Sequence, residues 1–156
     1  MKNNFRNIVI FSALALLISS CAKQESENKA VNMKIKLTWT VVTNMLVGES
    51  SCRAAFTIQN KSSQTIGNSG WAIYYSQIPR RVTNEPNAKA IVKHINGDWF
   101  KIIPAQNFSL APNEQVTVHY DLSHYLIKET DGPLYPYIVR YDENGNETSV
   151  SRITDY

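Results

Sequence analysis

The chain has 156 residues, with 16 Lys and Arg against 13 Asp and Glu, three His and two Cys. Its length excludes a (β/α)₈ barrel, which takes about 250 residues. The net charge of +3 shrinks once Lys2 and Arg6 are set aside with the first twenty residues: 14 basic then face 13 acidic residues, and no nucleic-acid footprint survives.

Those first residues read as a leader. Lys2 and Arg6 make a positive start, and Ile8 to Ile18 is an apolar run too short to span a bilayer and of signal-peptide length. Ile18-Ser19-Ser20-Cys21 resembles the lipobox of bacterial lipoproteins, which implies cleavage after residue 20 and lipid on Cys21. Ala22 at the next position implies, by the same similarity, the outer membrane. The expectation is an exported protein, lipid-anchored to the envelope. Residues 21–32 are polar and read as a tether, and 33–156 as one domain. With Cys21 lipidated, Cys52 has no intrachain disulfide partner and reads as a small buried apolar residue.

Met33 to Val42 alternates, with Ile35, Leu37, Trp39 and Val41 predicted inward. Thr43 to Ser51 reads as a loop around Gly48. Cys52 to Asn60 is a second strand with Cys52, Ala54, Phe56 and Ile58 inward. Lys61 to Ser69 is a turn region. Gly70 to Ser76 is apolar on both faces, the mark of a central strand. Pro79 and Pro86 then predict irregular backbone, with a surface loop at Asn84 to Asn87.

Two short β-rich runs flank Asn96-Gly97, predicting a hairpin with a type I′ turn at those two residues. Phe108 and Leu110 precede a turn at Pro112-Asn113-Glu114. Val116, Val118 and Tyr120 point inward on the next strand, while Gln115, Thr117, His119 and Asp121 are wet. Ser123 to Lys128 has room for one helical turn. Tyr137 to Tyr141 and Thr148 to Ile153 flank a second hairpin turn. Seven or eight short strands and frequent turns predict an all-β chain: a single immunoglobulin-like or carbohydrate-binding-module-like β-sandwich.

The segments Gly70-Trp71-Ala72-Ile73-Tyr74-Tyr75-Ser76, Ile78-Pro79-Arg80-Arg81 and Lys93-His94-Ile95-Asn96-Gly97-Asp98 resemble, in this order and spacing, the N-terminal domain of bacterial chitobiases and other family 20 β-N-acetylhexosaminidases. The resemblance covers roughly residues 34–156. It implies a β-sandwich likened to carbohydrate-binding modules, ahead of a catalytic barrel. That barrel works through an adjacent Asp-Glu pair. The Asp-Glu pair of this chain, Asp142-Glu143, sits at a predicted turn instead, so the chain as given is read as no hydrolase. In the family an Asp-Tyr-bearing segment leads toward the barrel, and Thr154-Asp155-Tyr156 stands there. A severed enzyme domain and a stand-alone lipoprotein are both consistent with this.

No Gly-rich phosphate loop precedes a helix, and the His, Glu and Cys residues show no metal-ligand spacing, so neither cofactor nor metal is expected. What remains is aromatic. Sugar-binding modules present flat rings to the apolar faces of pyranoses, with polar groups at the edges. Trp71 shares a face with Ile73 and Tyr75 and reads first as core; Tyr74 lies opposite. Trp99 alternates with Lys101, opposite Phe100 and Ile102, and is either a platform or a cross-strand packing residue. The family has a smaller apolar residue there. Asp98 is placed either to bond a sugar hydroxyl or to cap turn amides. The candidate carbohydrate-binding residues are therefore Trp99, Tyr74, Asp98 and Trp71. The expected partner is a glycan containing N-acetylglucosamine. The competing reading is a scaffold packed against a hexosaminidase barrel.

Overall fold

A computed structural model describes residues 33–45 and 50–156. The leader, Cys21 and the tether lie outside these residues. Nine strands and one 3₁₀ turn follow in order: β1 (Ile35–Met45), β2 (Ser51–Asn60), β3 (Trp71–Ser76), β4 (Val82–Asn84), β5 (Ala90–Asn96), β6 (Trp99–Pro104), β7 (Gln115–Ser123), η1 (Glu129–Asp131), β8 (Leu134–Tyr141) and β9 (Glu147–Arg152). They make two antiparallel sheets, β1-β2-β7-β4 and β5-β6-β3-β8-β9. The expected sandwich is what forms, with β3 at the centre of the larger sheet.

Alternation builds the core. Leu37 on β1, Phe56 and Ile58 on β2, and Val118 and Tyr120 on β7 project from one sheet. Ile73 and Tyr75 on β3, Val92 on β5, and Phe100 and Ile102 on β6 project from the other. Aromatic rings lock the layers together. Phe100 stacks on Tyr75 at 5.5 Å, Tyr75 tilts against Phe56 at 5.2 Å, and Phe56 stacks on Tyr120 at 5.6 Å. Cys52 is fully buried in this core, and burial pushes its thiol up, as a packing residue requires.

Each side of the sandwich is closed differently. On one side the chain end runs beside β1, with the Leu37 amide donating to the Asp155 carbonyl at 2.9 Å. On the other, Asn84 of β4 acts as a surrogate strand for β5. Its side-chain amide donates to the Val92 carbonyl at 2.9 Å, and its oxygen accepts the Val92 N–H at 2.8 Å.

Several expectations are corrected. β4 forms where irregular chain was predicted, because Val82 to Asn84 pair with Leu122 to Tyr120 on β7. Trp39 is half-buried rather than core: it packs against the core's margin and donates Nε1–H to Tyr120 Oη at 2.8 Å. Val41 is exposed, since β1 is an edge strand whose register slips between Val41 and Thr43. β1 also runs to Met45, three residues into the predicted loop. The helical turn falls at η1, just after Ser123 to Lys128.

The first hairpin is shifted by one residue. Asn96 pairs with Trp99, so the loop is Gly97-Asp98, and of these only Gly97 has positive φ, at 48°. A bulge between His94 and Asn96 absorbs the extra residue. Glycine first in a two-residue loop is the type II′ preference, not type I′.

Candidate functional site

The outer face of the five-stranded sheet is built by the residues that alternate against the core. Tyr74 on β3 pairs with Lys101 on β6 and Tyr137 on β8. One pair further along, Val139 on β8 sits between Ala72 and Val150. In the other direction Ser76 pairs with Trp99. Cross-strand partners share a face, so Trp99, Tyr74, Tyr137, Val139 and Val150 gather on one surface. Together with Glu147 they line a shallow hollow of about 360 Å³.

Two of the four sequence candidates, Trp99 and Tyr74, meet in this hollow. Trp99 is 48% exposed, an unusual position for the largest apolar ring. Tyr74 is half-buried, and its hydroxyl lies 2.7 Å from that of Tyr141. Burial first, then this bond to Tyr74, holds the Tyr141 phenol well above the ordinary tyrosine value. The pair fixes the Tyr74 ring without consuming its face. Beside the strip, Tyr135 is exposed and its ring is covered by Arg152 at 5.7 Å.

The other two candidates fall elsewhere. Trp71 is only 3% exposed. It donates Nε1–H to the Gly67 carbonyl at 2.8 Å and packs edge-on against Phe108 at 5.1 Å. It is a core residue with no ring face to offer, because β3 is covered by the other sheet on that side. Asp98 stands at the hairpin beside Trp99. Its carboxylate accepts from Ser76 Oγ at 2.7 Å and its carbonyl from the Gln77 amide at 2.8 Å. It fastens the hairpin to β3.

Tyr137, Val139, Val150 and Glu147 were not singled out from sequence. Their signal was available only as pairing. Tyr137 alternates with Val139 on β8, but which face holds Tyr74 depends on the register between distant strands.

Asp142 has a local duty. Its carboxylate accepts the amides of Asn144 and Asn146 and the Asn146 side chain. The Asn146 contacts, side chain first, hold its carboxyl below the usual value. It works as a turn cap at the second hairpin. Among the described residues, no group of three or more His, Cys, Asp and Glu side chains is placed to hold a metal ion.

Residues 34–151 match the model of the CHB_HEX family, described as "Putative carbohydrate binding domain". The chain belongs to that family. A search of curated protein sequences gives no match.

Among solved structures, the chain resembles a GH20 exo-β-N-acetylglucosaminidase from Vibrio harveyi in complex with N-acetylglucosamine. The TM-score is 0.56 at 16% identity, over 76% of this chain and 17% of that one. A family GH18 chitinase from Chromobacterium violaceum matches with TM-score 0.51 at 15% identity, over 78% of this chain and 19% of that one. The carbohydrate-binding module CBM3b of cellobiohydrolase 9A from Clostridium thermocellum gives TM-score 0.49 at 9% identity, over 74% and 95%. The first two likenesses show the fold. This chain spans under a fifth of the length of each of those two enzymes.

Proposed function

We propose that the domain binds a glycan containing N-acetylglucosamine on the outer face of the five-stranded sheet, and that it does no chemistry on it. The observation that carries this reading is the exposed Trp99 ring set beside Tyr74 and Tyr137 in one shallow apolar hollow. Such rings bury the apolar face of a pyranose, while Glu147 and the Tyr137 hydroxyl meet its edge. The family match supports a carbohydrate ligand. Lipid on Cys21 would hold the domain at the envelope, where such glycans are met; Cys21→Ser then releases the protein from the membrane fraction, and an unmodified Cys21 in the intact mass refutes the anchor.

The test is titration with chitooligosaccharide. Trp fluorescence changes with a Kd in the range of about 1 mM to 1 μM, and Trp99→Ala abolishes the change while the fold persists. No heat and no fluorescence change at millimolar ligand overturns it. That result favours the second reading, a scaffold packed on a catalytic barrel. The observation behind that alternative is a different set of exposed apolar residues, Val41, Val42 and Met45 at the end of β1, and Ile127.

A further inference from the structure

A larger cavity lies along the seam where the edge strands β4 and β5 face each other. It is an open groove of about 660 Å³. Pro79, Val82, Ile91 and Val92 supply its apolar wall, while Arg80, Arg81, Lys93, His94 and His124 supply its polar one. No carboxylate is among its lining residues.

Local structure explains this gathering. Asn84 ties β4 to β5 at Val92 alone, leaving Lys93 and His94 beyond the tie on the open edge. Arg81 is held at the start of β4 by a reciprocal pair with Ser123: the Ser123 amide donates to the Arg81 carbonyl at 2.9 Å, and the Arg81 amide to Ser123 Oγ at 3.0 Å. The next residue, His124, has φ of 72°, a left-handed conformation uncommon outside glycine but one that histidine tolerates better than most. His94 Nε2 lies 2.7 Å from the Gly97 carbonyl; a carbonyl only accepts, so this nitrogen carries a hydrogen.

The charges are unevenly matched. Arg80 is over nine-tenths buried, with Nη2 3.6 Å from Asp131 and Nη1 donating to the Tyr125 carbonyl at 2.8 Å. Its Nε is buried without a hydrogen-bond partner, a donor not used by the fold. Asp121 and Glu85, the carboxylates of the neighbouring surface, are both engaged by Arg53. Arg81 and Lys93 have no ion-pair partner among the described residues. Two uncompensated cations, Arg81 and Lys93, thus line a groove of small-ligand size.

We propose that this groove binds the oxyanion of an acidic sugar, a carboxylated or sulfated disaccharide unit. A free inorganic ion would leave most of its volume and its apolar wall unused. The groove also meets the aromatic strip: Lys93 pairs with Lys101, which pairs with Tyr74. The sugar part of the assignment therefore draws on the platform reading, whereas the charge part stands alone.

The experiment follows backbone amides by ¹⁵N NMR during titration of the protein with a sulfated disaccharide, with digalacturonate, with neutral chitobiose and with inorganic sulfate. The expected result is saturable shifts at Arg81, Lys93, His94 and His124 with one or both acidic sugars. Binding weakens at least tenfold in Arg81→Glu and in Lys93→Glu, and is unchanged in Thr117→Ala, on the outer face of the other sheet. Both reversed side chains are exposed, and a matching melting curve shows that each variant is folded. Equal shifts with chitobiose, inorganic sulfate binding as tightly as the sugars, or unaltered binding in both variants overturns the proposal. Loss of chitobiose from the aromatic face with acidic sugar retained in the groove would sink the platform reading alone.

Discussion

The two outer faces of the sandwich obey the same alternation and carry opposite chemistry. On the four-stranded sheet a row runs Thr38, Thr57, Thr117 across β1, β2 and β7, with Lys36, Gln59 and Gln115 beside it. Arg53 and Asp121 pair further along. Apart from the small Ala55, paired with Thr40 and His119, the central face is polar, as a solvated antiparallel face should be. On the five-stranded sheet the equivalent positions hold Tyr74 with Tyr137, Val139 with Val150, and Trp99. Folding needs no rings there, since the core already holds Tyr75, Phe100 and Phe56 beneath. The first face shows what this fold does with a surface left to solvent. The second departs from it at a cluster of adjacent residues, which is the signature of contact with something else.

The contrast depends on one core beneath both faces, and the largest expected effect tests that. Phe56 is fully buried and touches Tyr75 of one sheet and Tyr120 of the other. Phe56→Ala should lose about 3–5 kcal/mol in urea unfolding, from transfer and cavity terms together. A loss below about 1 kcal/mol would mean that the sheets do not share this core.

Next comes acid. Asp131 accepts the Ile127 and Lys128 amides at 2.8 and 3.2 Å and faces Arg80. The Ile127 amide is the main cause holding its carboxyl below the ordinary 3.8. A carboxylate whose folded pKa is depressed stabilises the fold above the unfolded value and ceases to do so as pH falls through the folded one. Stability should therefore drop below about pH 4, and Asp131→Asn should start lower and show a flatter acid limb. An unchanged acid limb in the variant would place the titrating group elsewhere.

The faces themselves are compared by a matched pair of variants. Trp99→Ala should change stability by no more than about 1 kcal/mol, because the ring is half-exposed, yet abolish chitooligosaccharide binding. Thr117→Ala, on the other face, should leave binding intact and cost under about 1 kcal/mol, through its exposed contact with Thr57 at 3.2 Å. Equal binding in both variants would erase the distinction between the faces.

Much of the fold was legible because short-range rules suffice for it. Alternation identified the inward set Cys52, Ala54, Phe56 and Ile58, and the doubly apolar run at Trp71 to Tyr75 identified the central strand. What failed involved an edge or a register. Val41 obeys the alternation but is the last residue paired before a slip, near the end of an edge strand. The Asn96-Gly97 signal was right about a hairpin and wrong about its loop, since the bulge at Ile95 moves the turn by one residue. At the site, alternation placed Tyr74 and Trp99 outward. It could not join them to Tyr137, 63 positions beyond Tyr74, whose place is set by pairing between β3 and β8.

The smallest expected effect separates the two parts of Tyr74. Its ring lines the hollow, whereas its hydroxyl is engaged with Tyr141 at 2.7 Å. If the face acts through ring stacking, Tyr74→Phe keeps the ring and should weaken chitooligosaccharide binding by no more than about threefold, under about 1 kcal/mol. Tyr74→Ala removes the ring and should weaken binding more than Tyr74→Phe does. The phenylalanine variant carries its own internal control. With the hydroxyl gone, the Tyr141 phenol loses one cause of its elevation, so its titration should move down toward the ordinary tyrosine value, though burial keeps part of the shift. A Tyr141 titration that moves while binding holds would show that the hydroxyl pair positions the ring rather than grips the sugar. If Tyr74→Phe instead loses binding as completely as Tyr74→Ala, the hydroxyl makes the decisive contact, and the polar edge of this face outweighs its apolar surface.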